Sequence, residues 1–273
     1  MCKREDRESF GADVRQDSPS ERLQREDLQW DDVRLNSPHT QADKSRRVQR
    51  MFDAIAPTYE LVNSVASGGR DKYWRREMVR LAAVRPDDVL LDLACGTGDV
   101  ARTFAAANVR PRHIIGADFS GSMLRVAATR PIAGGSFVQA DALHIPLPDA
   151  GVSLVTCAFG IRNFQDLSAG LREMYRVLRP GGRAVILEFS LPRPGLLRTL
   201  YFFYIHRIMP MAATWISRDR SGAYRYLPRS VVSFPESSEI LAALTAAGFT
   251  TAAVHPKTLG IVSIYVAAKG IST

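Results

Sequence analysis

Cysteine is scarce in this chain, and long uncharged runs are missing. The three cysteines, Cys2, Cys95 and Cys157, are odd in number and far apart, with no metal-ligand spacing. Free thiols in a cytoplasmic protein are the expectation, and no metal site. No stretch of 18 residues is free of charge, which argues against a transmembrane helix. The opening "MCKREDRESF" lacks the apolar core of a secretory signal, and its acids do not suit a mitochondrial presequence. Internal repeats, low-complexity tracts and anything resembling a nucleophilic triad are also missing.

What is present is ordinary in composition: 273 residues, 46% hydrophobic and 23% charged, enough for a sizeable core. The net charge of +8 is uneven, because residues 1–47 carry 10 Lys/Arg against 11 Asp/Glu. The basic excess therefore lies downstream, where nucleic acid, an anionic membrane surface or an acidic substrate are all compatible partners.

Residues 1–45 are polar, with scattered apolar positions such as Leu23, Leu28 and Trp30, and read as a disordered extension. Val48, Phe52, Ile55 and Tyr59 then recur at helical spacing, Pro57 suits the start of a second helix, and a further helix covers about 70–83. From there strands and helices alternate. Strands are expected at 89–94, 113–118, 136–139, 152–158 and 183–189, with helical patterns near 99–107, 120–129 and 166–178. "LRPGG" at 178–182 reads as a turn. After an insertion, a helix near 236–247 precedes apolar runs at 249–254 and 261–268. Seven strands with helices on both faces, the last pair a hairpin, is the α/β architecture this order predicts over 46–270.

"DLACGTGDV" sets Gly96, Thr97 and Gly98 between a strand and a helix, where glycine lets a ligand approach the backbone. On spacing alone a dinucleotide is as compatible as a nucleoside. Charge separates them. Asp92 and Asp99 bracket the loop, and no Lys or Arg occurs between Arg85 and Arg102. Carboxylates repel a pyrophosphate but attract a sulfonium and an ammonium, which points to S-adenosylmethionine. Asp99 as a helix cap is the plainer alternative. Asp118, ending the next strand, is placed to accept from ribose hydroxyls, with helix capping by "DFSGSM" as its alternative.

At these residues the chain resembles the class I S-adenosylmethionine-dependent methyltransferases, through "DLACGTGD", "GADFSGSML", "VQADAL" and "LRPGG". More closely, "MFDAIAPTYELVNSVASGG", "FGIRNFQD", "MYRVLRPGGRAVILEFS" and "YRYLPRSVVSFP" are similar to the menaquinone/ubiquinone biosynthesis C-methyltransferases, the demethylmenaquinone methyltransferase family. The resemblance runs from about Val48 to Ala268. It implies a class I methyltransferase fold, Rossmann-like, in which Thr97 contacts the cofactor, Asp118 holds its ribose, and Asp141 and Ala142 lie beside the adenine. Ala158 stands where the family often has a cofactor-touching serine, so only backbone or van der Waals contact is expected there.

The activity implied is methylation of a ring carbon of a polyprenyl hydroquinone, demethylmenaquinol to menaquinol. A ubiquinone-pathway benzoquinol, or another lipophilic phenol or sterol, is the alternative. Such chemistry needs a phenolate, whose charge reaches the ortho carbon, and a site that excludes water. Arg162 in "FGIRNF" is the candidate donor to the oxyanion, and Asn163 is suited to orient a ring oxygen. Tyr59 and Asn63, one helical turn apart, are suited to close over the cofactor, with core packing the alternative for Tyr59. His144 reads as a loop histidine.

Between Phe189 and Pro235 lie seven arginines and one acid, Asp219, interleaved with aromatic and aliphatic residues. This segment, about 191–234, reads as a basic, apolar lid. Peripheral contact with the inner face of the cytoplasmic membrane is expected from it. Nucleic acid is not, since no RNA-binding motif accompanies the arginines. A homo-oligomer is left open.

Overall fold

The structure is a computed structural model and describes residues 28–208 and 222–271. Seven strands form one sheet: β1 Val89–Leu93, β2 His113–Asp118, β3 Gly135–Gln139, β4 Val152–Ala158, β5 Leu178–Phe189, β6 Thr251–Lys257 and β7 Val262–Ala268. Their spatial order is β3-β2-β1-β4-β5-β7-β6. The first five are parallel, while β7 runs antiparallel to both β5 and β6. This is the predicted architecture, and β6–β7 is the expected hairpin.

The central strands are covered on both faces, so β4 and most of β1 and β5 are buried along their length, as parallel strands between helix layers must be. One face packs against α7 (Leu167–Val177) and α10 (Ser237–Ala246) through Leu171, Met174, Ile240 and Leu244. The other packs against α4 (Arg70–Ala82) and α5 (Asp99–Ala105) through Trp74, Met78, Val100 and Phe104.

Three details differ from the sequence expectation. "LRPGG" does not precede β5 but belongs to it. Pairing with β4 slips between Val152 and Leu154, and Gly181 takes a left-handed φ of 73°, so the expected turn is absorbed as an irregularity within the strand. Pro57 lies in a turn joining α2 (Lys44–Ile55) to α3 (Tyr59–Ala66) rather than opening the second helix. The third concerns the polar extension. Residues 1–27 lie outside the described residues, but from residue 28 the chain packs. A short helix α1 (Asp32–Leu35) and Trp30 join a third apolar cluster with Met51, Ile55 and Tyr226. Trp30 stacks on Tyr226 at 4.5 Å between ring centroids, so a few large apolar side chains suffice to order this part.

Of the expected lid, α8 (Leu196–Phe203), a wide turn through Ile208, and α9 (Ala223–Val232) are described. Residues 209–221 lie outside the described residues.

Candidate active site

Parallel α/β sheets present ligands at the carboxyl ends of their strands, beside the point where strand order reverses. Here that point lies between β1 and β4. Leu93 ends β1, and Ala94 to Gly98 turn into α5. Gly96 and Gly98 adopt φ of 55° and 86°, which permits the tight return. At the next strand end, Asp118 accepts from the amide of Gly96 (2.7 Å) and from that of Ser120 (2.8 Å). Ser120 itself caps α6 (Gly121–Ala128) by accepting from Met123 N, so helix capping does not consume the aspartate. Burial pushes the Asp118 carboxyl up to about 6 although both amides pull it down.

Two neighbouring cavities open over this loop. The larger, about 380 Å³, is bounded by Tyr59, Trp74, Thr97, Asp99, Phe189 and Arg162, and is walled beyond them by α8 and α9. The smaller is bounded by Gln49, Asp118, Phe119, Asp141, Ala142 and Asn163. Gly96, Tyr59, Ala158 and Phe159 line both and form the neck between them. Tyr59 reaches directly over the loop: a Cβ built on Gly96 would lie 3.8 Å from its ring. Gln49 and Asp53 of α2, which sequence reading passed over, fasten this roof. Gln49 donates to Phe119 O (3.0 Å), and Asp53 accepts from Ser120 Oγ (2.6 Å).

The charge argument built on Asp92 and Asp99 needs correction. Asp92 lines neither cavity. It lies beneath the loop, fully buried, accepting from Thr156 Oγ1 (2.7 Å) and Ala101 N (3.2 Å). A strand residue faces one side of the sheet or the other, and this one faces the helix layer. Asp99 does line the larger cavity, but Arg102 (3.0 Å) and Arg75 (3.6 Å) already share it. The acid left at the cradle is Asp118. A nucleoside fits these residues: carboxylate and glycine amides at one edge, apolar Phe119, Ala142 and Leu143 at another. Asp141 faces the same cavity while accepting from Leu143 N (2.9 Å). His144 is exposed and bounds neither cavity.

Arg162 sits on a single helical turn, Ile161–Asn163, that follows β4. Its Nη1 donates to Glu188 Oε1 (2.7 Å) and to Phe159 O (2.6 Å), and its guanidinium carbon lies 5.3 Å from the Phe189 ring centre. Burial is the largest influence and opposes its charge, yet Glu188 together with Tyr226 and Tyr59 outweighs it and the guanidinium pKa is raised. Nε of Arg162 is buried with no hydrogen-bond partner among the described residues, an orphan donor at a cavity wall. Asn163 is more committed than expected: its amide donates to Phe159 O (3.2 Å) and accepts from Tyr226 Oη (3.1 Å). It braces the turn instead of offering free groups to a ring. Glu188 is absent from the residues expected at the site, although a lone acid within "AVILEF" is a visible signal of a buried partner.

A family model described as the ubiE/COQ5 methyltransferase family matches residues 40–269. The ubiquinone/menaquinone biosynthesis C-methyltransferase UbiE of Geotalea daltonii is 43% identical over 232 residues, covering 83% of this chain and 98% of that protein. The demethylmenaquinone methyltransferase of Thermus thermophilus is 43% identical over 219 residues, covering 79% and 98%. Among solved structures, a SAM-dependent methyltransferase from Thermotoga maritima aligns with a TM-score of 0.56 at 17% identity, over 81% of this chain and 99% of that one, a likeness of fold. With a family model matching residues 40–269 and relatives 43% identical that share nearly their whole length with it, the chain belongs to the ubiE/COQ5 methyltransferase family.

Proposed function

We propose that the protein uses S-adenosylmethionine to methylate a ring carbon of a polyprenyl hydroquinone, demethylmenaquinol, in respiratory quinone biosynthesis. The observation that carries the reading is the orphaned Nε of Arg162, buried beside Phe159, Phe189 and Tyr226 at the wall of a cavity that adjoins the nucleoside cradle. When bound, the cofactor supplies an electrophilic methyl group on a sulfonium. Gly96, Thr97, Gly98, Asp118, Asp141, Ala142 and Ala158 hold it, with Tyr59 closing over the loop. Asp92 supports that loop from beneath.

The hydroquinone ring lies among Trp74, Phe159, Phe189 and Tyr226, which exclude water and so strengthen every charge interaction inside. Arg162 donates from Nε to the ring oxygen, and stabilises the phenolate whose ortho carbon takes the methyl. The methyl replaces a ring hydrogen, which leaves as a proton. Asn163 keeps Arg162 in register through Phe159 and Tyr226.

No helix among the described residues is long and apolar enough to cross a membrane. The prenyl tail instead leaves along α8, whose Tyr201 lines the cavity while Leu196, Leu200 and Phe203 face outward. With Arg193, Arg198 and Arg207 nearby and no acid between residues 190 and 208, this face suits the surface of an anionic bilayer.

The test is transfer of labelled methyl from S-adenosylmethionine to reduced demethylmenaquinone by the purified protein, with the matching benzoquinol in parallel. Methylated naphthoquinol is the expected product. Absence of transfer to either quinol would overturn the reading.

A further inference from the structure

The positive charge of Arg162 is largely cancelled where it stands, because Glu188 holds it at 2.7 Å and both are buried. A neutral pair stabilises a phenolate poorly, so the source of any net positive charge at this wall matters. The residue that supplies one is Lys44, at the start of α2. It is 3% exposed, its Nζ donates to the carbonyl of Phe164 (2.5 Å), and no carboxylate of the described residues pairs with it. Phe164 directly follows the turn that carries Arg162 and lines the smaller cavity, as does Ser45 beside Lys44.

The second partner of Nζ is Nδ1 of His39, at 3.2 Å. His39 Nε2 lies 3.0 Å from the carbonyl of Ser230, where only a donated N–H makes sense. Its Nδ1 is then the acceptor, and the imidazole is neutral. Burial first, then Lys44, depresses the histidine to about 4, in keeping with that assignment.

The described elements packed on Lys44 bring these charged and titratable groups towards it. His39 precedes its helix, and Arg162 lies on the turn, with Glu188 of β5 behind. Tyr226 on α9 donates to Asn163. On its own helix, Arg47 is paired with Asp43 at 2.7 Å. Among these described groups, with the Arg162–Glu188 and Arg47–Asp43 pairs neutral and His39 uncharged, one positive charge remains, on Lys44. An ammonium buried without a carboxylate is costly and is not kept for stability.

We propose that Lys44 is a positioning residue whose buried ammonium fixes the Arg162 turn from the side of the smaller cavity and supplies, behind that turn, the net positive charge that favours the anionic form of a ring hydroxyl at Arg162. This rests on the hydroquinone reading above. Burial, and then repulsion from Arg162, lowers the ammonium to about 8, so the charge is present at neutral pH and is lost as pH rises past that value.

The experiment separates charge from hydrogen bond. A redox-inert phenol, 2-nitro-1-naphthol, is bound to the full-length protein with S-adenosylhomocysteine, and its ionisation is followed by absorbance against pH. Lys44→Gln keeps a donor for Phe164 without the charge, Lys44→Met removes both, and Lys44→Arg keeps both. Expected is a bound-phenol pKa raised by about 1 unit in Lys44→Gln and Lys44→Met, with little change in Lys44→Arg. Turnover of demethylmenaquinol below that pKa should fall about tenfold in Lys44→Gln and survive in Lys44→Arg. If Lys44→Met does not fold, the Gln and Arg pair still decides. A Lys44→Gln protein whose bound phenol titrates with the wild type overturns the proposal, as does a wild type that leaves the bound phenol no more acidic than the free one. Absence of quinol methylation by the wild type strikes the parent reading alone, since the phenol titration needs binding and not turnover.

Discussion

Nη1 of Arg162 lies 2.7 Å from Oε1 of Glu188, and their side chains are 7% and 0% exposed. Neither charge can be solvated if the other is removed. Glu188→Met should therefore lower unfolding free energy by about 3–5 kcal/mol, the usual cost of stranding a buried ion, and Arg162→Met strands the opposite charge. The double variant Arg162→Met/Glu188→Met should lose less than the sum of the single changes, because no charge is stranded in it. Urea unfolding of the four proteins checks this. Methyl transfer should be lost in every variant lacking Arg162, the stable double variant included, which separates the catalytic role from the structural one.

Gly98 is constrained twice. Its φ of 86° is left-handed, and an added Cβ would lie 2.9 Å from Arg102 Nη1 and 3.2 Å from the Phe137 ring. Arg102 cannot easily yield, because its Nη2 donates to Thr97 O (2.7 Å) and Asp99 (3.0 Å). Gly98→Ala should cost about 1–2 kcal/mol of backbone strain and distort the Thr97 peptide. Calorimetric titration with S-adenosylhomocysteine should show affinity weakened about tenfold or more. Unchanged affinity would remove Gly98 from the cradle.

Much of this site can be read before any coordinates, and what cannot has identifiable causes. The parallel run of β1 to β5 and the closing hairpin follow from strands that alternate with helices up to β5 and not at the final pair, whereas the order of strands across the sheet does not. Gly96, Thr97, Gly98 and Asp118 fall at strand ends, where position in the sequence is nearly position in space. Asp92 misleads because a charge within a strand reads the same whether it faces a ligand or lies beneath one. The partners of Arg162 and Trp30 are hidden by distance along the chain. Glu188 meets Arg162 only through the β4–β5 register, and Tyr226 meets Trp30 across nearly the whole fold. Lys44 is one more charge in a polar stretch of sequence, and its carbonyl partner lies 120 residues away.

Asp92 gives the folded protein a definite pH signature. Burial pushes its carboxyl up to about 7, opposed by the Thr156 and Ala101 donors, from the 3.8 of an ordinary aspartate. Between those values the folded state keeps a proton that the unfolded state releases, so stability declines as pH rises from about 4 to about 7 and is level above. Asn at 92 carries no such proton. The melting temperature of the cofactor-free wild type relative to Asp92→Asn should therefore fall across that interval, by on the order of 5 °C. A difference that is flat with pH would show that Asp92 is ionised in the fold.

The outer face of α8 makes the last expectation. Leu196, Leu200 and Phe203 are 77%, 57% and 60% exposed, while Tyr201 on the opposite face is buried against the cavity. Changing outward residues should thus leave the cavity intact. Leu200→Glu/Phe203→Glu removes apolar area and adds two negative charges to a face whose nearby charges are arginines. Each Lys/Arg near an anionic bilayer contributes about 1 kcal/mol, and each added acid opposes it, so vesicle affinity should drop at least about tenfold. Co-sedimentation with phosphatidylglycerol vesicles measures this directly. Methylation of a long-tailed quinol embedded in those vesicles should fall with it. Methylation of a short-tailed quinol in solution should stay within about twofold of wild type, because the aromatic wall and Arg162 are untouched. Equal loss on both substrates would place the defect inside the cavity and not at the bilayer, and α8 would then be a wall of the site and nothing more.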